Sequence, residues 1–329
     1  MNVLGVIQLI ALAGLSFALL SGGLASFCSS LILSATVSWS PERRHRALLL
    51  LSVAPMVLAA FGVLAVLAPS LLAMIWPRYD HCLSHGDHHV HLCLVHLPRH
   101  LGNATSWLVL TLVVGWTCLR AARALAHLHG ASRRAQQLRT HGQVDVELGA
   151  YVLHTPAPLC LLAGVFRPAL FLSKGLLAAM SPEQIAIVLH HERAHAARHD
   201  ILLRLLGRAG TIFMWPSARA HLLGALELAA EQSCDEVAAS RVGDRLLVAE
   251  VILRVERLMQ TPASRLAPLA VGFGGDSVPQ RVSALLEPPK CTGNVLVLGL
   301  GFGVMLCGVL AASEPLHHLT ESLLEALVH

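Results

Sequence analysis

The sequence predicts an α-helical membrane protein with four transmembrane helices and a mainly helical α+β domain between the third and fourth. Three observations predict it. Of 329 residues, 55% are hydrophobic and only 13% charged, and the mean hydropathy of +0.63 lies outside the range of soluble globular domains. Four apolar runs approach or exceed the roughly 20 helical residues that a hydrocarbon core takes up. Between the third and fourth runs the pattern changes to short strands, turn residues and capped helices.

The first run has no charged side chain from residue 1 to 41, which predicts a span over 3–28 with a helical extension toward Trp39. A cleaved signal peptide fits less well, because "MNVLGVIQLI" has no positive start and the apolar run overshoots. The second run, "LLLLSVAPMVLAAFGVLAVLAPSLLAMIW" (48–76), carries Pro55 and Pro69 as kinks. "SWLVLTLVVGWTCL" (106–119) is the third, short unless Arg120 and Arg123 snorkel. "VLVLGLGFGVMLCGVLAA" (295–312) is the fourth.

Arginine placement sets the orientation, since short basic loops stay cytoplasmic. Arg43, Arg44 and Arg46 follow the first span, and Arg120, Arg123, Arg133, Arg134 and Arg139 follow the third. The loop after the second span offsets Arg78 and Arg99 with Asp80 and Asp87, and the tail has Glu314, Glu321 and Glu325 without Arg or Lys. Both chain ends are therefore expected outside a bacterial inner membrane. The implied plan is three spans over 1–119 with a His-rich outer loop at 77–104, a cytoplasmic domain over 120–290, the fourth span over 291–312, and an outer tail over 313–329. Leu316, Leu319, Leu323 and Leu327 make the tail amphipathic, on the outer membrane surface or against the outer loop.

The eight cysteines divide on this map. Cys28, Cys118 and Cys307 lie in or at spans, and Cys160, Cys234 and Cys291 face a reducing compartment, so none of the six is expected in a disulfide. Cys82 and Cys93 lie outside, to pair or to bind metal. With His81, His85, His88, His89, His91, His96 and His100 they form a candidate sensor site for copper, zinc or nickel, a second metal site. The plainer readings are a loop that titrates near about pH 6 to 7, or one tied by a disulfide.

Within 120–290, "AYVLHT", "LCLLAG" and "ALFLS" read as strands. Ser181 then N-caps a helix, with Pro182 in its first position and Gln184 closing a capping box. Ile185, Ile187, Val188 and Leu189 supply its buried face. In "VLHHERAHAARHD", His191 and His195 are four apart, so both imidazoles leave one helix face and can meet one metal ion. Glu192 lies close to that face, where a carboxylate can move a proton from water to a leaving amine. His199 does not extend the row into the metzincin form, because Ile201 stands where that form has its third His. His190 is best read as a partly exposed polar residue.

Downstream, in "ELAAEQSCDEVAAS" (227–240), Glu231 and Asp235 are four apart. Glu231 is the candidate third ligand, with Asp235 orienting a ligand histidine. Glu227 shares the face and is the alternative ligand, and a solvated acidic face is the reading without chemistry.

"GVFRPALFLSKGLLAAMSPEQIAIVLHHERAHAARHD", "MWPSARAHLL", "EQSCDEVAAS" and "QRVSALLEPP" together resemble the BlaR/MecR-type membrane zinc metallopeptidases, over about 161–289 and in the four-span topology. The resemblance implies a zincin-like cytoplasmic metalloprotease domain and one catalytic Zn2+. It implies His191, His195 and Glu231 as ligands, Glu192 as general base, Asp235 as the acid behind the ligands, and structural places for Arg198 and Asp200. It further implies Glu-assisted attack of zinc-bound water on a protein or peptide laid along a sheet edge near "ALFLS". The role implied is signal transduction by self-cleavage and removal of a winged-helix repressor, with membrane lipids around the spans and no direct nucleic-acid binding.

The chain departs from the beta-lactam receptors in having only "SEPLHHLTESLLEALVH" after the fourth span, so a penicillin-binding sensor domain is not expected. Two other functions compete. A quality-control or CAAX/HtpX-type protease shares the HExxH pattern but distributes its spans differently. A non-catalytic metal-binding or metal-sensing membrane protein has no need of Glu192 beside its ligands.

Overall fold

The computed structural model describes residues 3–76, 104–165, 167–259, 277–288 and 293–328. The His-rich outer loop, with Cys82 and Cys93, lies outside the described residues, as does Cys291. The described residues are mostly helical, with one small sheet.

Helices α1 (Val3–Ala35) and α2 (Pro41–Ile75) form an antiparallel pair. The contacts step in opposite directions along the two. Ser21 Oγ donates to the Pro55 carbonyl at 2.9 Å, Phe17 fills the space beside Gly62, and Leu9, Leu12 and Ala13 pack with Val66. A Cβ at Gly62 would stand 2.8 Å from the Phe17 ring, so close approach here requires glycine. Helix α3 (Ala104–His141) continues without a break beyond its apolar run. At about 1.5 Å per residue it is nearly 60 Å long, so it projects well past a bilayer.

Strands β1 (Gln143–Asp145), β2 (Ala150–Leu153), β3 (Cys160–Ala163) and β4 (Ala169–Ser173) make a sheet in the order β1-β2-β4-β3. Only β2 and β4 pair in parallel. "ALFLS" is thus an interior strand, and the edge beside it is β3. Alternation along β4 sends Leu170 and Leu172 into the main core and Phe171 into a smaller core with Leu153, Leu159 and Leu161, against which Leu138 of α3 packs. β1 was not anticipated from the sequence; "QVD" is too short and polar to signal a strand.

Helices α4 (Lys174–Ala179), α5 (Pro182–Arg198), α6 (Asp200–Gly210), α7 (Pro216–Val242), α8 (Arg245–Met259) and α9 (Val278–Leu286) complete the domain. Its main core joins α5, α7, α8 and α9 to the sheet. A separate core of Ala25, Leu48, Leu51, Met214, Leu222 and Leu226 ties α7 to α1 and α2. At Gly210 a Cβ would lie 2.2 Å from the Ser52 carbonyl oxygen, so α6 sits directly on the α2 backbone.

Helix α10 (Val295–Ala311) has no buried residue and bends by 68° into α11 (Ser313–Val328). Among the described residues three helices, α1 to α3, are long and apolar enough to cross a membrane; the bent α10–α11 pair makes a fourth only if taken as one span. Leu316 and Leu324 of α11 pack on Leu9, Leu12 and Val66, and buried His317 holds the Val66 carbonyl through Nδ1 at 2.7 Å. Of the expected stripe Leu316 faces α1 and α2, but Leu319 and Leu323 are exposed, and Leu324, outside the stripe, makes the buried contact.

Candidate active site

The site begins with the start of α5. Ser181 Oγ accepts from the Gln184 backbone N–H and Gln184 Oε1 accepts from that of Ser181, which fixes the first turn. From there the apolar face carries His191, Glu192 and His195 into the interior, each less than a tenth exposed. His191 Nε2 and His195 Nε2 are 3.2 Å apart. Glu231 of α7 completes the group, with Oε2 3.5 Å from His191 Nε2 and Oε1 3.4 Å from His195 Nε2. Glu227 is not in the group. It is half-exposed and pairs with Arg204 Nη1 at 3.1 Å.

Each imidazole is held from behind by a carboxylate, and each carboxylate by an arginine. His191 Nδ1 is 2.9 Å from Asp235 Oδ1. Arg281 of α9 grips Asp235 with both arms, Nη2 to Oδ1 at 2.7 Å and Nε to Oδ2 at 2.8 Å. On the other side, His195 Nδ1 is 2.5 Å from Asp200 Oδ2, and Arg198 donates to Asp200 through Nη2 at 2.6 Å and Nε at 3.2 Å. Asp200 can turn back because His199 ends α5 in the left-handed conformation, φ 55°. With each Nδ1 facing a carboxylate, the Nε2 atoms are left to face each other and Glu231.

Electrostatics reinforces the geometry. Burial works against the charged form of both histidines, yet Asp235 and Glu231 raise His191, and Asp200, Cys234 and Glu231 raise His195 well above the ordinary value. Burial would raise Glu231, but the two histidines hold it well below the usual carboxylate range. Asp235 is likewise held down by Arg281 against its own burial.

The donor set fits a zinc ion. Bonds of about 2.0–2.1 Å at tetrahedral angles put neighbouring donors about 3.3 Å apart, close to the three separations in this site. Glu231 Oε2 is a buried oxygen that accepts no hydrogen bond, facing His191 Nε2 and Arg281 Nη1. An overlapping trio of His195, Asp200 and Cys234 is a poorer host. Asp200 is already held by His195 and Arg198, and burial raises the Cys234 thiol, which keeps it protonated.

Glu192 and His195 border a cleft of about 260 Å3 between β3, α6 and the projecting half of α3. Leu128, Leu161, Ile201 and Leu205 give it apolar walls, and Arg204 reaches from it to Glu231 Oε1 at 2.9 Å. Cys160 at the start of β3 hydrogen-bonds Glu192, and its thiol is pushed well up by burial and by that carboxylate.

Among solved structures and curated proteins nothing matches the chain significantly. A family model does: the one described as BlaR1 peptidase M56 matches residues 99–285, more than half of the chain. The chain belongs to the BlaR1 peptidase M56 family. It is accordingly a membrane metallopeptidase, and a protein or peptide is the substrate class of an M56 peptidase. Sequence reasoning assigned no role to Arg281, Arg204 or Cys160. Only Arg281 carried a signal, inside the "QRVSALLEPP" stretch.

Proposed function

We propose that the chain is a zinc-dependent endopeptidase of the HExxH type, in which His191, His195 and Glu231 hold the metal and Glu192 is the general base. The observation that carries this reading is the triangle of donor atoms 3.2 to 3.5 Å apart beside the cleft that Glu192 borders. A zinc ion held there would polarise a peptide carbonyl and lower the pKa of water to about 7. Glu192 takes the proton that the attacking water gives up and returns it to the leaving amine. Asp235 and Asp200 keep the ligand nitrogens turned inward. The β3 edge along the cleft offers backbone partners to a peptide strand, and the apolar walls receive its side chains.

The domain plan belongs to the same proposal: residues 120–290 cytoplasmic, spans on both sides, and both termini outside. It is supported by α10: Gly293, just before it, lies against the Trp39 ring in the α1–α2 turn, and its far end feeds α11 onto Leu9 and Leu12. In this arrangement signals received outside act on a protease that cleaves itself or a cytoplasmic repressor, and the His-rich outer loop is the candidate metal sensor.

Purified Glu192→Gln in detergent should keep its zinc and lose about a hundredfold to ten-thousandfold in proteolysis, the range of a lost general base. Unchanged proteolysis in that variant would overturn the assignment.

A further inference from the structure

The corner between α6 and α7 is wedged into the membrane bundle. A Cβ at Gly22 of α1 would stand 2.5 Å from the Phe213 carbonyl oxygen, and the Trp215 N–H donates to Ser26 Oγ of α1 at 2.9 Å. The Phe213 ring lies 6.1 Å from Trp116 of α3, and Arg120 stacks over that indole at 4.7 Å. Trp215 is 58% exposed. Aromatic rings at this level, where the apolar run of α3 ends, mark the membrane–water boundary.

Three arginines gather at this corner. Arg219, in the first turns of α7, donates to the Arg208 carbonyl at 3.5 Å, and its Nε is buried with no acceptor. Burial, then Arg120 and Arg208, disfavour its charged form. Among the described residues no carboxylate pairs with Arg120, Arg208 or Arg219. Like charges crowded without a counter-ion repel, and guanidinium groups match phosphate oxygens in a two-armed geometry. A basic pocket beside transmembrane helices meets lipid phosphates at this depth.

We propose that Arg120, Arg208 and Arg219, flanked by Trp116, Phe213 and Trp215, form a binding site for the phosphate headgroup of an anionic phospholipid. Arg208 also borders the catalytic cleft, so a bound headgroup lies at the cleft mouth and holds the α6–α7 corner to the bilayer. The inference rests on the membrane bundle and not on the peptidase mechanism.

The test is native mass spectrometry of the full chain taken from nanodiscs of equal phosphatidylglycerol and phosphatidylcholine, with Arg120→Gln, Arg208→Gln and Arg219→Gln beside the exposed control Arg241→Gln. Phosphatidylglycerol should be retained over phosphatidylcholine. Retention should fall roughly fivefold for each site arginine removed, about the worth of one basic residue at a membrane surface, and stay unchanged in the control. Arg208 is exposed, so its variant reads out binding even if Arg219→Gln folds poorly. Equal retention of both lipids, an equal loss in Arg241→Gln, or displacement of the lipid by millimolar inorganic phosphate would overturn the lipid site.

Discussion

His191 and His195 sit on consecutive turns of one helix, yet their imidazoles are held by supports of opposite kinds. Behind His195, Asp200 and Arg198 come from the same stretch of chain, and the turn at His199 brings them back. Behind His191, Asp235 and Arg281 come from α7 and α9, far along the sequence. Arg198 is about a fifth exposed, whereas Arg281 is fully buried. The first support forms as soon as α5 ends; the second requires three helices to be packed. One half of the site is therefore local and tolerant, and the other reports whether the domain is folded.

Arg281→Leu should show the contrast most strongly. It leaves the buried Asp235 carboxylate with His191 but without its bidentate arginine, which costs about 3–5 kcal/mol. Arg198→Leu should cost roughly half as much, because the Arg198 side chain is itself partly open to water and His195 still faces Asp200, although its links to Ser233 and the Ala230 carbonyl are also lost. Denaturant unfolding of the full chain in detergent measures both, and equal costs would break the asymmetry.

Next in size is metal affinity. Asp235→Asn and Asp200→Asn should each lower zinc affinity by about 10- to 100-fold, with Asp235→Asn at the upper end because Arg281 then lacks its bidentate partner. Titration against a competing chelator reads the two values directly.

The pH dependence separates the two histidines in the other direction. Both histidines ionise above 6.5 in the folded, metal-free domain, and His195 by the larger margin. Their charged forms stabilise that domain below about pH 6.5, and this contribution is lost as pH rises through the raised folded values. Zinc must displace the same protons, so its affinity should climb over the same interval while the metal-free domain weakens. Asp200→Asn should flatten this slope more than Asp235→Asn, in zinc titrations run from about pH 6 to 9.

The smallest effect belongs to the turn itself. His199→Gly should be neutral or stabilise by a few tenths of a kcal/mol, since glycine adopts φ 55° without a Cβ penalty, whereas His199→Val should destabilise by about 1–2 kcal/mol. Thermal melts of the two variants separate them.

What could be read from the sequence follows the same divide. The His191–His195 spacing, the Ser181–Gln184 box and the four-residue step from Glu231 to Asp235 are periodic features of single helices, and helix geometry alone says which atoms meet. The strands at 150–153, 160–163 and 169–173 were visible as short apolar runs between Pro156, Pro158, Gly164 and Pro168. The pairing of Arg281 with Asp235 was not, because an arginine becomes a buried partner only through packing between α7 and α9. Nor did the sequence mark β3 as the edge that borders the cleft, or show that the tail packs on α1 and α2, since both depend on the order of elements in space.

The most direct test of the central assignment is zinc K-edge X-ray absorption on the full chain in detergent, with metal content measured on the same sample. One zinc per chain is expected, with two imidazole nitrogens and oxygen donors, all at about 2.0–2.2 Å, and loss of the ion in Glu231→Ala. A sulfur shell at about 2.3 Å, which would bring in Cys234, or retention of zinc without Glu231, would contradict it.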